Sequence, residues 1–278
     1  MNRMEKATTF RPDWPEPDAG AMARDFMLWR HLRVIRARTM RHVRKALSQK
    51  SQPVTSVYGV KMWSNWSDRT FSYCHYGTYG NYLADLLASV AEPFVFLDIG
   101  ANQGLFSLIA GQNPACKKIV ALEPVPDTHA RLSANLELNG LADRSVALNF
   151  GLSSRSETHA ITLSKAHSGM ATLEAHADRM GGEHSHIMVK LETAEALTEH
   201  LPEGLPVFVK IDVEGHEETV IRQLMASDQA ARIIALFYEQ DDRWSDDSSI
   251  TSTLQSAGFV KRQIYGRGHH YDVLAVPV

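Results

Sequence analysis

Two acids and two glycines set around a sharp turn carry the first chemical signal in this chain. Phe94 to Gly104 reads Phe-Val-Phe-Leu-Asp-Ile-Gly-Ala-Asn-Gln-Gly: an apolar run closing on Asp98, a turn through Gly100, Ala101, Asn102 and Gly104, then a second apolar segment from Leu105. That order is a buried strand feeding a helix through a Gly-rich turn, the form that cradles a nucleotide-like ligand at the end of a parallel sheet. A dinucleotide turn requires G-x-G-x-x-G, with bare backbone against a pyrophosphate. Here Gly100 and Gly104 are four apart and Asn102 fills the middle position. Asp98 would repel a pyrophosphate but suits a ligand bearing an amino group and a sulfonium, which is S-adenosylmethionine (SAM). The next apolar run, Lys118 to Leu122, ends on Glu123-Pro124. That places a carboxylate about twenty residues after the turn, at a second strand end, where it can grip both ribose hydroxyls. The expected cofactor set is therefore Asp98, Gly100, Ala101, Asn102, Gly104, Glu123 and Pro124. An ordinary hydrolase or dehydrogenase strand pair with incidental acids is the competing reading, and two acids at the correct strand ends weaken it.

A second constellation follows about ninety residues later: Val207-Phe-Val-Lys210-Ile-Asp212-Val-Glu214-Gly215-His216-Glu217. Alternation puts Lys210 and Asp212 on one side of a strand and Ile211 on the other. An acid buried at a strand end needs a partner or a ligand, so Asp212 is a catalytic candidate. Glu217 and Glu218 read more simply as acids in a first helical turn, where they complement the dipole. Methyl transfer from a sulfonium requires in-line alignment and a base for the acceptor's proton. The base candidates are His216, with Glu214 beside it to raise its basicity, Glu239 at the end of Ala235-Leu-Phe-Tyr-Glu, and His269 or His270. Asp212 and Glu239 could instead share a divalent cation, but with no third ligand in view the expectation is metal-free transfer.

These two motifs together, Asp98-Ile-Gly-Ala-Asn-Gln-Gly and Val209-Lys-Ile-Asp-Val-Glu-Gly-His-Glu217, resemble those of the FkbM-type SAM-dependent methyltransferases. The resemblance spans about residues 75–278, and its second motif is far more specific than the first. It implies O-methylation of a hydroxyl on a sugar, glycan or polyketide-type small molecule. One departure is Thr193-Ala-Glu-Ala-Leu197, where the family often shows Thr-Leu-Asp-Asp-Leu; any part played by that Asp falls to Glu195. Two other readings stay open. The acceptor could be an amine, or the domain could be a SAM-binding module that docks to a membrane surface or partner through its basic N-terminal arm.

The elements that must position these residues follow from periodicity. Strands at 94–98, 118–122, 145–150, 206–211, 232–238, 259–264 and 271–276 alternate with helices at 104–111, 126–139, 216–226 and 248–256. The expected fold is α/β, a doubly wound, mostly parallel seven-stranded sheet of Rossmann-like type. A β-rich insertion runs through 157–191, with turns at Ser168-Gly169 and Gly181-Gly182, and a short helix follows at 193–200. Val57 to Met62 and Thr70 to Tyr73 are expected as short strands, Gly80 to Val90 as a helix. Tyr76, Tyr79 and Tyr82 are candidates to line the adenosyl or acceptor pocket, or to plug the sheet edge. His184 and His186 lack zinc-ligand spacing. The last two strands should form a hairpin about Gly266-Arg267-Gly268.

Composition bounds the rest. The chain has 278 residues, 44% hydrophobic, with no apolar run long enough to span a bilayer. Met1 to Gly20 lacks a secretory signal and, with Pro12, Pro15 and Pro17, reads as disordered. Cys74 and Cys116 have no metal spacing and read as reduced thiols of a cytoplasmic protein. Residues 1–50 hold 12 Lys/Arg against 5 Asp/Glu, and residues 51–278 hold 17 against 27. The acidic body argues against nucleic acid. The chain thus divides into a tail and basic helical arm (1–50) and a catalytic domain (51–278). On the arm, Leu28, Leu32, Ile35, Thr39, Val43 and Leu47 form one stripe of a helix over 21–48. That stripe is expected to pack on the domain or on a second subunit, in preference to a membrane.

Overall fold

The computed structural model describes residues 30–47, 50–78, 80–164, 167–172, 184–242, 247–266 and 269–277. The chain opens with helix α1 (Arg30–Leu47), a small hairpin β1 (Pro53–Thr55) and β2 (Lys61–Trp63), and helices α2 (Arg69–Tyr76) and α3 (Asn81–Ser89). Alternation then begins: β3 (Phe94–Ile99), α4 (Leu105–Gln112), β4 (Cys116–Leu122), α5 (Pro126–Leu138) and β5 (Ser145–Leu148). The insertion comprises β6 (Gly151–Leu152), β7 (Glu157–Ser164), β8 (His167–Thr172) and β9 (His184–Glu192). The main sheet resumes with β10 (Val207–Ile211), α6 (Glu217–Ala226), β11 (Ile233–Asp241), α7 (Asp247–Ser256), β12 (Phe259–Gly266) and β13 (His270–Pro277).

The main sheet has the order β12-β13-β11-β10-β3-β4-β5. β11, β10, β3, β4 and β5 run parallel, while β13 inserts antiparallel between β11 and β12. This is a doubly wound, mostly parallel sheet of Rossmann-like type. Its strand order reverses between β3 and β10, and such a switch point opens a crevice beyond the carboxyl ends of the strands. All six residues of β3 are buried because helices cover both faces. Phe94 and Phe96 pack with Leu86, Leu108 and Leu132 on one face; Val95, Leu97 and Ile99 pack with Val220, Leu224 and Ile250 on the other.

Several local expectations change. Thr70 to Tyr73 are helical, within α2, because Asp68 caps that helix by accepting from the Thr70 N–H at 3.0 Å and Gly77 ends it at φ +61°. Of Val57 to Met62, only Lys61 and Met62 are in a strand; Gly59 turns the chain at φ +80°. Ser168-Gly169 lies inside β8 rather than in a turn, and the helix expected at 193–200 shrinks to a 3-10 turn, Ala194–Leu197. Gly181-Gly182, Arg267-Gly268, Tyr79 and the proline-rich first twenty residues lie outside the described residues, as does the 21–29 part of the expected arm helix.

The arm helix packs by a face about 100° round from the expected stripe. Ala37 is fully buried, Met40 packs against the core, and the Arg36 and Arg44 guanidinium groups lie 5.5 and 5.7 Å from the ring centres of Tyr76 and Trp66. Arginine stems and planes cover aromatic surface as well as apolar side chains do, so they took the packed side.

Candidate active site

The turn after β3 is built for close approach of backbones. Gly100, Asn102 and Gly104 have φ of +75°, +51° and +91°. A Cβ at Gly100 would stand 1.9 Å from the Asp212 carbonyl oxygen, and one at Gly104 2.6 Å from Leu132 Cδ1. The glycines are thus required by the neighbouring β10 turn and by α5. The Gly100 and Ala101 N–H groups donate to the Leu122 carbonyl at 3.0 and 2.8 Å, joining the turn to the end of β4. There Glu123 completes a cradle: its Oε2 accepts from the Asn102 N–H and its Oε1 from the Val125 N–H, both at 2.9 Å. Those bonds occupy one side of each oxygen and leave the others for ribose hydroxyls. Burial pushes the Glu123 carboxyl up to about 7, against the pull of the two backbone donors. Asn149 Nδ2 fixes the adjoining chain by donating to the Glu123 and Pro124 carbonyls at 2.9 and 3.1 Å.

Asp98 sits beneath this turn, fully buried. Its Oδ2 accepts from the Ser107 N–H at 3.1 Å and the Ser107 hydroxyl at 2.7 Å, and its Oδ1 lies 3.3 Å from Lys210 Nζ. Any hold on a cofactor by Asp98 is therefore indirect, through the loop. Lys210 is the hub. At 3% exposure its ammonium donates to the Gly100 carbonyl at 2.8 Å and lies 3.5 Å from Asp212 Oδ2. Burial would drive Lys210 down, but Asp212 and Asp98 outweigh it and hold the ammonium above the usual lysine range.

Beyond Lys210 the structure gathers acids. One carboxylate oxygen each from Asp212, Glu214 and Glu239 lies within 4.8 Å of the others. Glu214 is the third ligand absent from the sequence reading, and a left-handed φ of +52° puts it there. Its side chain still reaches solvent, but the walls of the recess desolvate it, and Glu239, Asp212 and Glu217 raise its carboxyl further. Glu239 faces Asp272 directly across the β11–β13 pair, a like-charge juxtaposition that costs stability. Burial first and Glu239 second push Asp272 up to about 7. His270 Nε2 meets Glu239 Oε1 at 2.8 Å, and that bond raises His270 to about 9, so the imidazolium persists at neutral pH. His216 stands at the start of α6 with Nε2 3.1 Å from the Ser153 hydroxyl, and His269 is exposed. The structure thus brings Asp212 and Glu239 together and pairs Glu239 with His270.

Other candidates resolve into structural roles. Glu217 is buried and accepts from the Val213 and Gly215 N–H groups, shaping the turn that presents Glu214, while Glu218 pairs with Arg222 at 2.7 Å. Glu195 is exposed and accepts from its own Thr193 hydroxyl. Tyr82 stacks on Tyr265 with ring centres 3.5 Å apart, and Tyr76 is buried beneath α1. His186 is exposed and meets the Thr162 hydroxyl at 3.1 Å. Cys74 and Cys116 are both buried.

One set was missed entirely. Asp68, besides capping α2, accepts from the Ser168 N–H at 3.1 Å, the Ser168 hydroxyl at 2.7 Å and the Gln103 amide. The Ser168 hydroxyl also lies 3.1 Å from Asn102 Oδ1. The insertion strand β8 is thereby tied to the cofactor turn. The Asp68-Arg-Thr70 cap signal was legible; its long-range partners were not.

A family model for the methyltransferase FkbM domain matches residues 98–261, more than half of the chain, including both the Gly-rich turn and the Lys210–Glu217 turn. The chain belongs to the FkbM methyltransferase family. It is 31% identical over 163 residues to methyltransferase sdnD of Sordaria araneosa, covering 50% of this chain and 62% of that one. It is 29% identical over 153 residues to the hexuronic acid methyltransferase AglP of Haloferax volcanii, covering 54% and 57%. Less than two thirds of either relative is spanned. Among solved structures, the tRNA m1G37 methyltransferase of M. jannaschii is 12% identical with a TM-score of 0.43, covering 83% of this chain and 56% of that one. Membership of the FkbM methyltransferase family implies SAM as the methyl donor.

Proposed function

We propose that this protein transfers the SAM methyl group to a hydroxyl of a sugar, glycan or polyketide-type small molecule. The observation that carries the reading is the Lys210 bridge, which sets the Glu123–Asn102 cradle one side chain away from Asp212, Glu214 and Glu239. Bound SAM supplies an electrophilic methyl on a sulfonium. Glu123 accepts the ribose hydroxyls, and the fixed Gly100–Gly104 backbone sets the depth of the ligand. Asp212 and Glu214 accept from neighbouring acceptor hydroxyls, orienting one of them. Glu239 takes the reacting hydroxyl's proton, with His270 holding its carboxylate in place. The name of AglP is consistent with a sugar acceptor. Incubation with labelled SAM and a panel of sugars and polyketide alcohols tests the reading. Methyl ether formation that falls at least about a hundredfold in Glu239→Gln supports it. Transfer to amines alone would overturn it.

A second reading is favoured by the convergence of three carboxylates, which matches a hard divalent cation's preference for oxygen. A cation there would lower the pKa of a coordinated hydroxyl. Activity lost to a chelator and restored by magnesium selects this variant.

A further inference from the structure

Helix α1 has two apolar faces, and only one is packed. Ala37 and Met40 pack inward, while Leu32, Ile35, Val43 and Leu47 are exposed at 48, 59, 43 and 77%. At 100° per residue these four fall on one stripe about 120° wide, centred roughly 100° round the helix from Ala37 and Met40. The helix holds seven Lys/Arg and no acid in its eighteen residues. We propose that this face docks on an anionic lipid surface, with α1 lying in the plane of the interface.

Three features select that occupant. The stripe is apolar and flanked by cations such as Arg38 and Lys45, the pairing that seats a helix at the headgroup boundary. Residues 51–278 carry 17 Lys/Arg against 27 Asp/Glu, so an anionic surface repels the body and admits the arm, orienting the molecule. The packed face already orders the helix, so docking does not have to supply the cost of folding it. Among the described residues no helix is long and apolar enough to cross a bilayer.

Other occupants fit less well. A two-fold pairing of α1 with itself would set arginine against arginine. An eighteen-residue helix is about 27 Å long, and one stripe of it falls well short of the roughly 800 Å² per partner of a stable interface. Nucleic acid would engage the arginines and leave four apolar side chains in water.

Flotation of the full chain with phosphatidylcholine vesicles containing about 30% phosphatidylglycerol, against pure phosphatidylcholine, tests the proposal. The expected result is at least about tenfold more protein on the anionic vesicles, lost at roughly 0.5 M salt. Ile35→Asp/Val43→Asp and, separately, Arg38→Glu/Lys45→Glu should each cut binding about tenfold. Unchanged SAM affinity by calorimetry shows that these surface variants remain folded. Equal partition onto both vesicles, or undiminished binding by Ile35→Asp/Val43→Asp, overturns the proposal. So does an absence of vesicle binding together with a dimer that the same variant dissociates, or with binding to duplex nucleic acid.

Discussion

Lys210 decides more than any other side chain, because it neutralises Asp98 below the cofactor turn and Asp212 above it. Lys210→Met strands the Asp98 carboxylate in the core, which is expected to cost about 3–5 kcal/mol by chemical denaturation. Adding Asp98→Asn to that variant should recover much of the loss, since the stranded charge is then gone; no recovery would mean that Lys210 acts by some other route. On the proposed role of Glu123 at the ribose, Glu123→Ala should weaken SAM binding by about 1–3 kcal/mol, read by calorimetry. Sequence made Glu123 and Asp212 legible because acids at strand ends are rare and placed. It gave Lys210 only as part of a motif, although a lysine inside Val207-Phe-Val-Lys-Ile had to be paired somewhere. Asp272 left no local trace at all: its meaning comes from facing Glu239 across β13, a pairing that depends on the last strand inserting between β11 and β12.

At the level of elements, the site is held by ties between segments far apart in sequence. Gly100→Ala drives a methyl into the Asp212 carbonyl and demands φ of +75° from alanine. It is therefore expected to lower the melting temperature as well as SAM affinity, whereas a ligand-facing glycine would lower affinity alone. The Asp68 tie separates two roles. Asp68→Ala loses the α2 cap, worth about 1 kcal/mol, together with the hold on Ser168 and Gln103. Ser168→Ala spares the cap, so a raised KM for SAM at unchanged melting temperature assigns the β8 tie to cofactor binding, and an unchanged KM denies it. The alternating strands and helices were readable because period and length agree with their final environment. Helix α1 was read with the wrong face inward because a stripe of Leu, Ile and Val looks like the buried side, while Arg36 and Arg44 cover aromatic rings through their long stems.

For the molecule as a whole, the concentration of acids at one end of the sheet sets a pH dependence of stability. Burial raises Glu123 and Glu217 from 4.5 to about 7 and Asp272 from 3.8 to about 7. Between those limits the folded protein keeps protons that the unfolded chain has released, so stability falls as pH rises, by at most about 1.4 kcal/mol per pH unit for each group. His270 extends the trend: its folded value of about 9 exceeds the unfolded 6.5, so its contribution is present at low pH and fades as pH passes through 9. The cofactor-free protein is therefore expected to melt progressively lower as pH rises from about 5 to about 9, as measured by calorimetry in constant ionic strength. SAM should raise the melting temperature more at pH 8 than at pH 6, because ionised carboxylates at the site gain a cationic ligand and Glu123 accepts hydroxyl hydrogens best without its own proton. A melting temperature that is flat or rising from pH 5 to 8, with no pH dependence of the SAM increment, would show that the acids at this end of the sheet ionise without penalty, and would remove their strain from the account of the site.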